Sequence, residues 1–242
     1  AIIAASQQVE WNDELLGAGH VEAGITTLDA VAPNPISPEA MHEDIYRAAR
    51  TAVNDGKFLI GLGGEHGVTS GLVRAVMEKH PKLSVLQIDA HADLRNSYQG
   101  TPFSHASVMR RVLDLGASIV PVGVRSFSEE EAVFMRETGI TSITTRRMRD
   151  DQNWIDTALA GLSDKVYVTI DIDGFDPAYA PGTGTPEPGG LDWFQVCDLL
   201  ERVCKARTVV AADIVEVMPI PGQAVTEFLA ARLACKVIAM TA

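Results

Sequence analysis

Leu83-Ser84-Val85-Leu86-Gln87-Ile88-Asp89-Ala90-His91-Ala92-Asp93 is the stretch on which the reading of this chain turns. Its first six residues form a short, largely apolar run without regular alternation, as in a strand covered on both faces. Its last five place two carboxylates and an imidazole directly after the strand's carboxyl end. In extended backbone, residues i, i+2 and i+4 point the same way. The spacing therefore predicts that Asp89, His91 and Asp93 face one side together, with Ala90 and Ala92 filling the other at little bulk.

Similar runs at 57–62, 119–124, 140–143, 166–170 and 209–214 read as further strands. Helical patterns separate them. Ser37 caps a helix with Pro38 at its first position, with Met41, Ile45, Ala48, Ala49, Ala52 and Val53 on one side and a stop at Asn54-Asp55-Gly56. A second helix opens at Thr69 and ends before Pro81, a third spans 129–137 before Gly139, a fourth spans 193–204 after Asp192, and a long apolar one spans 225–240. Repeated strand–helix order predicts a three-layer α/β fold, a mostly parallel central sheet flanked by helices. Residues 1–242 read as a single domain, with no internal repeat and no linker.

The charge balance narrows the partners. At net charge −12 the chain has no basic patch to release counterions, which argues against nucleic acid. Apolar runs fall well short of the roughly 20 residues that span a bilayer, so no membrane association is expected. Cys197, Cys204 and Cys235 form no C-x-x-C pair, which predicts neither a disulfide framework nor zinc, and a cytoplasmic location.

Three polar clusters follow apparent strands: Gly63-Gly64-Glu65-His66-Gly67, Asp89 to Asp93, and Asp171-Ile172-Asp173-Gly174-Phe175-Asp176-Pro177. The carboxyl edge of a parallel sheet is where such clusters converge on one site. Four carboxylates and two imidazoles brought together repel one another unless cations intervene. The donors are hard oxygens with a minority of imidazole and no thiolate, which favours two Mn2+ ions over structural zinc. Paired ions of this kind make a nucleophile available from water near neutral pH. Asp176, before Pro177, reads as a turn former rather than a ligand. His20, His42 and His80 lie outside any carboxylate pattern and read as solvated surface; Trp11, Trp154 and Trp193 are too scattered to form a stacking platform.

These three motifs resemble the signatures of the ureohydrolase family of arginases, agmatinases and formimidoylglutamases. The likeness continues through Gly182-Thr183-Gly184-Thr185-Pro186-Glu187-Pro188-Gly189-Gly190 and Asp213-Ile214-Val215-Glu216-Val217-Met218-Pro219, in family order over nearly the whole chain. The resemblance implies that His66, Asp89, Asp93 and Asp171 bind one manganese and Asp89, His91, Asp171 and Asp173 the other, with Asp89 and Asp171 as bridges. It places His105 as the histidine that carries a proton to the departing amine, Glu216 as the carboxylate pairing with the substrate guanidinium, and Thr185 as a threonine orienting the same group. His105, Glu216 and Asp93 are thus the catalytic candidates. A homotrimer or homohexamer is implied, as is a small cationic guanidino substrate.

The implied reaction cleaves a guanidino group to urea and an amine, with agmatine giving putrescine, as in polyamine biosynthesis. Arg95 leaves a guanidino acid open as the alternative, since it stands where arginases carry an Asn and can receive a carboxylate; guanidinobutyrase or arginase activity would follow. A catalytically inactive member serving as a binding subunit is the remaining reading. A metallophosphoesterase would need a later Asn-His element, and no Asn-His pair occurs. A single-zinc deacetylase on a related fold would not retain both His66 and Asp93. The family also begins with a strand and a Gly-rich loop before its first helix, and this chain reads as starting at that helix.

Overall fold

A computed structural model describes residues 1–17 and 19–242, with His20 represented by its backbone. Its centre is a parallel sheet of β1 (Leu59–Leu62), β2 (Leu83–Ile88), β3 (Ser118–Val122), β4 (Lys165–Asp171) and β5 (Thr208–Val215), in the order β1-β5-β4-β2-β3. The helices in chain order are α1 (Ile2–Ser6), α2 (Gly19–Glu22), α3 (Pro38–Asn54), α4 (Val68–Met77), α5 (Val108–Asp114), α6 (Glu129–Thr138), α7 (Thr145–Asp150), α8 (Trp154–Gly161), α9 (Trp193–Ala206) and α10 (Val225–Thr241).

Strand side chains alternate between two cores. Leu86, Ile88, Val168, Ile170, Ala212 and Ile214 pack beneath α8, α9 and α10, together with Ala158, Leu199 and Leu233. Leu83, Val85, Tyr167 and Ala211 pack on the opposite side with Ile45, Val73 and Val112 from α3, α4 and α5. Both faces of the sheet are therefore covered, which is why its strands lack a polar face. The expected three-layer α/β architecture is the observed one.

The helix ends follow the sequence signals. Ser37 accepts from the Ala40 N–H at 3.2 Å, and Asp192 and Gln195 form a reciprocal capping box at the start of α9. Gly139 closes α6 at φ 74°. The 140–143 strand is a correction. Only Ile143 pairs, as an isolated parallel bridge to Val122. The next residue, Thr144, already caps α7 by accepting from the Arg147 N–H at 3.2 Å, so the chain turns helical before a ladder can form. Ile143 is nonetheless buried. His42 is a second correction: it is buried rather than solvated, with Nδ1 2.7 Å from Ser70 Oγ and its ring edge-on to Phe103. His80 is half-buried, and the side chain of His20 lies outside the described residues. Among the described residues no helix is long and apolar enough to cross a membrane.

Candidate metal centre and active site

The site sits at the carboxyl edge of the sheet, where four strands each deliver a polar residue. His66 follows β1, Asp89 follows β2, Asp171 ends β4 and Glu216 follows β5. Parallel register puts these ends side by side: Ile88 pairs with Ile170, Asp171 with Val215, and Leu62 with Ile214.

The predicted ligands converge, but not by strand alternation. The ladder of β2 ends at Ile88, and Asp93 turns back at φ 54°, a left-handed conformation that costs a non-glycine residue about 1 kcal/mol or more. Two hydrogen bonds hold that turn, since the Asp93 carbonyl accepts from the Met109 and Arg110 N–H groups at the start of α5. Asp173 likewise sits on a single 3₁₀ turn after β4, its N–H donating to Asp171 Oδ1 at 2.9 Å. Gly123 makes room behind Asp89. It adopts φ 96°, and a Cβ there would come 3.0 Å from the Asp89 carbonyl oxygen and closer still to Leu191.

Two clusters share Asp89: His66 with Asp89 and Asp171, and His91 with Asp89 and Asp173. His66 Nδ1 lies 3.1 Å from Asp89 Oδ2, 3.0 Å from Asp93 Oδ2 and 3.3 Å from Asp171 Oδ2. His91 Nδ1 lies 3.0 Å from Asp173 Oδ2 and 3.7 Å from Asp89 Oδ1. All of these except His91 and part of Asp93 are sealed from solvent.

So many buried acids disturb one another's protons. Desolvation and the Asp89 charge push Asp93 up to about 7, and burial with the charges of Asp173 and Asp89 pushes Asp171 well above the carboxylate range. Burial alone would raise Asp89 and lower His91, but their mutual attraction reverses both: Asp89 falls, and His91 rises to about 11 with Asp173 as its main partner. Burial also disfavours charge on His66, yet Asp171, Asp89 and Asp93 together hold its pKa well above the usual histidine value. The His66 Nδ1 atom is fully buried and makes no hydrogen bond among the described residues. A bare nitrogen facing three carboxylate oxygens, with a second imidazole–carboxylate set sharing one of them, fits two hard divalent cations.

Around this centre lie the groups assigned to the substrate. Glu216 adopts φ 60°, and its Oε1 accepts from the His66 N–H at 2.6 Å, so its carboxylate is anchored beside His66. Burial raises its pKa, offset by that N–H and by His66 and His105. His105 is half-exposed on a 3₁₀ turn before α5, with Nδ1 3.0 Å from Glu65 Oε2 and its ring edge-on to Tyr98. Glu65 raises its pKa. Thr185 donates to Asp173 Oδ2 at 3.2 Å. Asp176 is the turn former expected, accepting from the N–H groups of Ala178, Gly189 and Gly190.

The arginase family profile matches residues 1–240. This chain belongs to the arginase family. It is 40% identical to the N(1)-aminopropylagmatine ureohydrolase of Synechocystis sp., covering 98% of this chain and 80% of that protein. The enzyme of the same name from Thermus thermophilus is 38% identical, covering 96% and 79%. Among solved structures, the agmatine ureohydrolase of Thermoplasma volcanium aligns with a TM-score of 0.87 at 34% identity, covering 99% of this chain and 81% of that one. Membership makes the chain a hydrolase of the ureohydrolase class, acting on guanidino groups.

Within this arginase-family site several residues escaped the sequence reading. Glu65 lay inside a recognised motif without a role. Arg125 reaches the carbonyls of Gly123, Asp173, Gly174, Phe175 and Glu187, tying the Asp173 turn to the loop that carries Thr185. Gln87 donates to Asp89 Oδ2 at 2.9 Å. Thr169 and Asp213 lie behind His66. For Gln87, Thr169 and Asp213 the available signal was a polar residue inside an otherwise apolar, doubly covered strand.

Proposed function

We propose that this chain hydrolyses the guanidino group of agmatine or an N-alkylated agmatine, releasing urea and the amine, at a dinuclear manganese centre. In this reading His66, Asp89, Asp93 and Asp171 hold one ion, and Asp89, His91, Asp171 and Asp173 the other. The sharing of Asp89 between both clusters supports its bridging role. When bound, the ions supply a nucleophile from water near neutral pH and neutralise the carboxylates.

The chain's own residues do the rest. Glu216 keeps one oxygen on the His66 N–H and offers the other to the planar guanidinium. Thr185, held on Asp173, orients the same group. His105 donates a proton to the departing amine from Nε2 while Glu65 grips Nδ1, an arrangement that fixes the ring and sustains its protonated form.

The observation that favours a cationic tail over a guanidino acid is the state of Arg95. Its guanidinium stacks 5.3 Å over the Tyr98 ring and its Nε lies 3.9 Å from Glu131 Oε2, so it is engaged rather than offered to a substrate carboxylate. The names of the relatives that are 38–40% identical further favour the N(1)-aminopropyl derivative as a substrate beside agmatine. A turnover panel of agmatine, N(1)-aminopropylagmatine, guanidinobutyrate, arginine and formimidoylglutamate, read by urea or formamide release, tests this. Preference for either guanidino acid, or for formimidoylglutamate, would refute it.

The proposal extends to assembly: residues 1–242 act as one domain in a cytoplasmic homotrimer or homohexamer. Exposed Tyr179, Val225 and Phe228 around one open groove support association.

A further inference from the structure

We propose that Thr169 and Asp213 are positioning residues that dictate which ring nitrogen of His66 carries its proton, and thereby hold Nδ1 open toward Asp89, Asp93 and Asp171. This rests on the metal-centre reading above. The His66 ring is fully buried and its two nitrogens meet different surroundings. Nε2 lies 2.9 Å from Thr169 Oγ1, whereas Nδ1 has only the three carboxylates before it.

Counting hydrogens settles the direction of the chain. A carboxylate only accepts, and a hydroxyl has one hydrogen to give. Three hydroxyls converge on Asp213: Thr169 Oγ1 at 2.6 Å from Oδ1, Tyr167 Oη at 2.6 Å from Oδ2, and Thr69 Oγ1 at 2.8 Å from Oδ2. With its hydrogen committed to Asp213, Thr169 presents only lone pairs to His66. Nε2 must then be the N–H, which leaves Nδ1 with a free lone pair, the form a metal-binding imidazole requires.

The fold builds this relay from register. Thr169 and Asp213 are direct partners in the β4–β5 ladder, and both lie on the face covered by α4, which contributes Thr69. The whole group is sealed from water, so no solvent molecule competes for these hydrogens.

Thr169→Val removes the acceptor while nearly keeping the shape, and Thr169→Ser restores it. Titration calorimetry with Mn2+ should show two ions on the wild-type protein. In Thr169→Val one ion should bind about 10- to 100-fold more weakly while the other is unchanged, with Thr169→Ser within about threefold of wild type. In the diamagnetic Cd2+-loaded protein, long-range 1H–15N correlation spectra should show the His66 proton on Nε2. Wild-type affinity for both ions in Thr169→Val, or a His66 proton on Nδ1, would overturn the relay while leaving the metal centre standing. A wild-type protein that binds no divalent ion would overturn both. Should Thr169→Val not fold, Asp213→Asn serves: an amide cannot accept from all three hydroxyls, so weakening of one ion by tenfold or more supports the relay and unchanged affinity overturns it.

Discussion

Glu216→Gln is the most informative single change, because the proposed function gives this side chain two jobs that one substitution separates. One oxygen accepts from the His66 N–H at 2.6 Å, and the proposed mechanism gives the other to the substrate guanidinium. Glutamine keeps an oxygen for His66 and the same length, so the loop held at φ 60° has no reason to move. What changes is the free end, where an N–H2 now meets the N–H groups of a guanidinium. Breaking a largely desolvated, charge-assisted pair costs about 2–4 kcal/mol. At about 1.4 kcal/mol per tenfold, kcat/KM should fall roughly 30- to 1,000-fold. The assay is urea release under subsaturating agmatine or N(1)-aminopropylagmatine, beside a metal determination showing both ions retained. A variant within about threefold of wild type on every guanidino compound, with full metal, would refute the pairing and move the binding-subunit reading ahead.

Other outcomes can be checked alongside. Glu65→Gln should shift the alkaline limb of the kcat profile to lower pH: Glu65 raises the His105 pKa above its ordinary 6.5, so the proton is lost only as pH climbs through that raised value, and without Glu65 it is lost earlier. An unchanged limb would detach His105 from the proton transfer. Chelation should abolish activity and Mn2+ should restore it better than Zn2+ or Mg2+; Asp89→Ala should lose both ions where His66→Ala mainly weakens one, and equal losses would remove support for the shared carboxylate. Arg125→Ala strips a guanidinium from five buried or half-buried carbonyls and should cost about 3 kcal/mol or more, near 6–12 °C in Tm by calorimetry. A shift under 2 °C would show that water replaces it readily. Light scattering giving a mass near the 26.0 kDa of one chain would contradict the oligomer.

Much of this protein was legible in its sequence because the information was local. Strand ends, helix caps at Ser37 and Asp192, and the D-A-H-A-D and D-I-D spacings all depend on residues a few positions apart, and the repulsion of clustered acids follows from their charge alone. Where local cues failed, a neighbour in space had intervened. The 140–143 run is as apolar as a strand, but the cap of α7 cuts it to one paired residue, and Asp93 reaches the centre through a left-handed turn braced by α5 rather than by alternation. His42 looked like surface until Ser70 and Phe103 closed over it. The relay behind His66 is the clearest case. Thr69, Thr169 and Asp213 lie 100 and 44 residues apart along the chain, and nothing in the sequence states that a parallel register makes the last two direct neighbours. Residue types fixed which chemistry was possible; only the packed sheet decided which hydrogen each buried oxygen receives, because that depends on distances between strands.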